Sequence, residues 1–181
     1  KQGTGAPARL GAARGLSRDT RPSGPVVWIH GASVGEVLAA ASLIERLRAL
    51  NLRILLTSGT VTSAAIVARR FPPDIIHQYV PYDSPRFVGR FLDHWRPSLA
   101  LFIESDLWPN LILSSAARRL PMVLINGRMS PRSFPRWRRV SGTISAILDK
   151  IDICLALSKT HADRFPALAT PHPATPGTPN L

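Results

Sequence analysis

Cysteine is almost missing from this 181-residue sequence, whose single thiol, Cys154, sits in an apolar run. An internal disulfide is therefore excluded, a reducing compartment fits, and Cys154 reads as a buried core thiol. No run of about 18 apolar residues occurs, so no segment is long enough to span a bilayer as a helix. The chain also lacks internal repeats, a G-x-G-x-x-G dinucleotide fingerprint and a phosphate-loop lysine after Ser58-Gly59-Thr60-Val61-Thr62-Ser63. His77 alternates with apolar neighbours and reads as a sheet-face residue, His94 as a helix-surface residue, and neither has a partner at metal-ligand spacing. Acidic residues are scarce: 11 Asp+Glu stand against 23 Lys+Arg, a formal charge of +12. Most of that excess is arginine, which suits nucleic acid, an anionic membrane face or a phosphorylated lipid.

What the chain does have is 45% hydrophobic content, enough for one domain of roughly 150 residues with its own core. Its organising stretch is Val26-Val27-Trp28-Ile29-His30-Gly31-Ala32-Ser33-Val34-Gly35-Glu36. The apolar run reads as a buried strand, Gly31 permits a tight turn, and Ser33 with Glu36 has capping-box spacing at a helix start. At such a junction free backbone N–H groups and the helix dipole favour ligand binding. Glu36 is open to two readings, a plain helix cap or a carboxylate facing the crevice.

Further strands are expected at Arg53–Thr57, Ile75–Val80, Leu99–Ile103, Pro121–Ile125 and Ile153–Ala156. Helices are expected between them: Glu36 to Leu50, about Thr62 to Arg70, one opened by Asp83 or Ser84 with Pro85, Trp108 to Leu120, and Ile144 to Leu148. The alternation predicts an α/β fold, a Rossmann-like parallel sheet with helices on both faces. Residues 1–24, rich in Gly, Ala, Arg and Pro, are expected to be an irregular basic arm, residues 25–165 the domain, and residues 166–181 a proline-rich disordered tail.

Two more strand ends carry chemistry. Leu99–Ile103 delivers Glu104-Ser105-Asp106, in which Asp106 suits capping of the next helix and Glu104 stands nearer the crevice. The fifth strand delivers Asn126-Gly127-Arg128, where Arg128 is either a receptor for an acidic sugar or phosphate or a solvated loop arginine. From Arg132 to Arg139, arginines interleave with Phe134 and Trp137, a pattern suited to nucleic-acid stacking or to an anionic membrane interface.

His30 to Glu36, Pro81-Tyr82-Asp83, Glu104 to Leu111 and Asn126-Gly127-Arg128, in that order, resemble the motifs of the 3-deoxy-D-manno-octulosonic acid (Kdo) transferases of lipopolysaccharide synthesis. Asp106 departs mildly from the family's commoner Glu. The resemblance covers about residues 26–165 and implies half of a two-domain GT-B glycosyltransferase, the acceptor-binding half, working without a metal or other cofactor. It implies transfer of Kdo from CMP-Kdo to a lipid A precursor, with Glu36 as the family's proposed base and Glu104 as electrostatic support. Ser33, Gly35 and Arg128 then become substrate-binding residues. The family's donor-binding domain is absent, so the chain is expected to be an excised, truncated or frameshifted half, inactive alone. Its expected place is the cytoplasmic face of the bacterial inner membrane, peripheral or through an anchor outside this chain. From the residues alone the alternative is a non-catalytic basic α/β domain that binds nucleic acid.

Overall fold

The computed structural model describes residues 6–17, 19–104, 107–127 and 141–156. Six strands, β1 (Val26–His30), β2 (Arg53–Ser58), β3 (Ile76–Tyr79), β4 (Leu99–Ile103), β5 (Met122–Gly127) and β6 (Ile153–Ala156), form one sheet in the order β3-β2-β1-β4-β5-β6. Each neighbouring pair is parallel. Parallel strands need crossovers, and helices α2 (Val34–Ala39) and α3 (Ala41–Ala49), α4 (Val61–Arg70), α5 (Pro85–Trp95), α6 (Pro109–Ala117) and α7 (Ser141–Leu148) supply them. The expected α/β parallel architecture is the one found.

The strands are apolar because both sheet faces are covered. All five residues of β1 are buried, and alternate ones feed opposite cores. On one face Trp28 packs 4.9 Å from Phe91 of α5 and 5.3 Å from Phe102 of β4. Each such aromatic pair adds about 0.5–1.5 kcal/mol beyond its buried area. On the other, Val27 and Ile29 meet Val37, Ile44 and Val67 from α2, α3 and α4.

Three local expectations differ from what is found. The segment expected to be an irregular arm carries a further helix, α1 (Ala6–Ala13). Alanines supply helix propensity, and Ala12 and Ala13 are buried, Ala12 in a small cluster with Ala64 and Tyr79. The helix expected from Glu36 to Leu50 is two helices, because at Ala40 (φ −78°, ψ −9°) the turn tightens and its N–H is shared by the carbonyls of Glu36 and Leu38. Cys154 is half-buried rather than a core thiol, since β6 is the sheet's outer strand. Burial still pushes that thiol up to about 11. His77 is buried in the sheet face, as its alternation implies.

Candidate active site

In an open α/β sheet, ligands bind beyond the carboxyl ends of the strands where the strand order reverses. Here that point lies between β1 and β4: β1 pairs with β2 on one side and with β4 on the other, and His30 stands opposite Phe102. The loop from Gly31 to Glu36 leaves β1 there, and Glu104 follows the last residue of β4. α2 also packs against β4.

The first loop is tightly built. A Cβ on Gly31 would stand 3.1 Å from the Val37 nitrogen and 3.2 Å from the Glu36 Cβ, so glycine lets the first turn of α2 close onto the strand end. Ser33 is the N-cap: its Oγ accepts from the Glu36 N–H at 3.3 Å and donates to Glu36 Oε1 at 2.8 Å. The other carboxylate oxygen, Oε2, accepts from the Ala32 N–H at 2.7 Å. The capping geometry read from the spacing is thus present, shifted by one residue, with Ala32 in place of Ser33 as the backbone donor. The bonds fix the half-buried carboxylate in place. Each carboxylate oxygen has a second lone pair for a further donor. Gly35 is exposed in the first turn of α2, with Ser33 Oγ 3.8 Å from the position of a Cβ.

A polar layer that sequence reading missed supports this loop. Trp28 Nε1 donates to Thr57 Oγ1 at 2.8 Å, and His30 Nδ1 lies 2.9 Å from the same hydroxyl. Ser58 Oγ lies 2.9 Å from His77 Nε2, whose pKa burial lowers to about 4. The signal was present as two hydroxyl residues closing an otherwise apolar β2. The loops after β1 and β2 are also stitched together, Gly31 N–H to Thr57 O and Gly59 N–H to Ala32 O, both at 3.1 Å.

Glu104 is half-buried, its N–H donates to Ile125 O at 2.7 Å, and its φ is 63°. Left-handed backbone costs a non-glycine residue about 1–2 kcal/mol. Asn126, at φ 55°, repeats the feature on β5. Asp83 was read as opening α5, but its side chain serves another helix: its Oδ1 accepts from the Leu111 N–H at 2.8 Å and its Oδ2 from the Asn110 N–H at 3.1 Å. Ser84 is the N-cap of α5 and makes no side-chain capping bond.

The strand order therefore brings Ser33, Gly35, Glu36 and Glu104 to one end of two neighbouring strands. Arg128, Ser105, Asp106, the Arg132–Arg139 segment and residues 166–181 lie outside the described residues. Among the described residues no group of three or more His, Cys, Asp or Glu could hold a metal ion, and no helix is long and apolar enough to cross a membrane.

Residues 4–181 match the family model described as 3-deoxy-D-manno-octulosonic-acid transferase (kdotransferase). A probable mitochondrial 3-deoxy-D-manno-octulosonic acid transferase of Arabidopsis thaliana is 36% identical over 155 residues, 83% of this chain and 35% of that protein. The 3-deoxy-D-manno-octulosonic acid transferase of Rickettsia typhi is 37% identical over 155 residues, 84% and 33% of the two chains. That of Haemophilus influenzae is 33% identical over 147 residues, 80% and 34%. The chain spans about a third of the length of these relatives.

Proposed function

Because this chain belongs to the Kdo transferase family, we propose that it forms the acceptor-binding part of a GT-B glycosyltransferase that moves Kdo from CMP-Kdo onto a lipid A precursor, lipid IVA. The carrying observation is that the strand-order reversal brings the Glu36 loop and Glu104 to the carboxyl ends of adjacent strands. In this reading an acceptor hydroxyl bonds to a free lone pair of the Glu36 carboxylate and gives up its proton as the donor's anomeric carbon develops positive charge. The Ala32 N–H and the Ser33 hydroxyl hold the base still during that step. Glu104 adds negative charge near the oxocarbenium-like centre, and Arg128 receives an acidic group of the lipid. Most contacts to the donor belong to the part of the relatives that this chain does not span, and the enzyme works at the cytoplasmic face of the inner membrane.

The test joins this chain to the remaining part of the Rickettsia typhi relative and measures Kdo transfer from CMP-Kdo to lipid IVA. The isolated chain is expected to transfer nothing. Glu36→Gln, which keeps capping capacity, is expected to leave the melting temperature nearly unchanged, a stability effect under about 1 kcal/mol, and to slow turnover by about 10²- to 10⁴-fold. Near-normal turnover of that variant would remove Glu36 as the base.

A further inference from the structure

We infer that Asp83 is a positioning residue for Glu104, acting across the carboxyl edge of the sheet. The functional weight of this rests on Glu104 taking part in transfer. α6 opens with Pro109, which has no N–H, so its first amides in need of acceptors are those of Asn110 and Leu111. Asp83, 27 and 28 residues earlier, accepts from both. A second pair of bonds joins the same residues, Asn110 Nδ2 donating to Asp83 O at 3.0 Å and to Asp83 Oδ2 at 3.1 Å. The carboxylate also faces the positive end of the α6 dipole. The N-cap residue of α6, Trp108, makes no side-chain capping bond, so this cap comes from outside the helix.

Only residues 105–108 separate that anchored helix start from Glu104, whose own N–H is tied to Ile125 O. A segment of four residues pinned at both ends transmits a displacement of either end. Glu104 also holds a left-handed φ of 63°. Side chains other than glycine keep such a backbone only where the surroundings over-determine it. Asp83 supplies one of the restraints that does so.

The test uses the isolated 181-residue chain and no transfer assay, so its outcome is independent of the transferase reading. Amide hydrogen exchange is followed at residues 110 and 111, together with the side-chain carboxyl carbon signal of Glu104, in wild type, Asp83→Asn, Asn110→Ala and the double variant Asp83→Asn/Asn110→Asp. Asp83→Asn is expected to speed exchange of both amides by at least about tenfold, because a charge-assisted acceptor becomes a donor. It is also expected to shift the Glu104 carboxyl signal. The double variant, which exchanges donor and acceptor within the side-chain pair, is expected to return that signal part of the way. Faster exchange with an unmoved Glu104 signal would reduce Asp83 to a cap of α6 and overturn the inference, as would unchanged exchange. Should Asp83→Asn fail to fold, Asn110→Ala decides on the same signal: a moved Glu104 carboxyl supports the assignment and an unmoved one overturns it.

Discussion

Buried beside Ser58, the imidazole of His77 titrates near pH 4 in the folded chain, because burial removes the water that would solvate its charge. The unfolded chain protonates the same ring near 6.5. Between those values the unfolded state binds more protons, so His77 favours folding fully above about pH 6.5 and progressively less as pH falls toward 4, a loss on the order of 3 kcal/mol. Urea unfolding at pH 7 and pH 4.5 should show that fall, and His77→Gln should flatten it; an equal pH slope in the variant would assign the effect elsewhere. Gly35 makes a contrasting case. Neither its φ nor nearby atoms demand glycine, and alanine is favoured in a helix by about 0.5–1 kcal/mol. Gly35→Ala should therefore raise the melting temperature of this chain. If the glycine serves close approach of the acceptor, the same variant weakens lipid IVA binding by calorimetry, and unchanged binding would take Gly35 out of the site.

At the scale of elements, α1 is held by a few specific contacts. Gly15, at φ 74°, lies against the Phe87 carbonyl of α5, where a Cβ would overlap the oxygen, and Tyr82 N–H donates to Ala13 O at 2.8 Å. Gly15→Ala should release α1 from the domain, exposing Arg9 and Arg14 to limited trypsin digestion while the core melts within about 1 kcal/mol of wild type. An unchanged cleavage pattern would show that α1 docks without that approach. The six strands were legible because each is a short apolar run bounded by glycine, proline or polar residues, and the Ser33–Glu36 spacing announced its own hydrogen bonds. α1 was not legible because its stability comes from docking onto Ala64 and Tyr79, far along the chain. The cap that Asp83 gives to α6 leaves no local spacing to read, and its neighbour Pro85 pointed to the wrong helix. Glu104's left-handed backbone was hidden for another reason: glutamate, unlike glycine, is no flag for that conformation.

For the molecule as a whole, charge is the dominant surface property. At +12 the chain should bind vesicles containing anionic lipid far better than neutral ones. That preference should fade as salt shortens the Debye length below about 10 Å. Equal retention on both vesicle types would count against a membrane-facing role, and salt-sensitive retention on RNA alone would favour the nucleic-acid alternative. The strand order has a further consequence, for how the protein is made. β1 pairs with β2 and with β4, yet β4 begins at Leu99, so a chain emerging from a ribosome completes β1, β2 and β3 while one edge of β1 is still bare. During that interval Val27 to His30 present unpaired backbone groups in an apolar strand, an invitation to pair with another nascent chain. The arrival of Leu99 to Phe102 closes that edge and puts Glu104 beside the loop that waited for it, so the last step in closing the sheet's centre also assembles its candidate site.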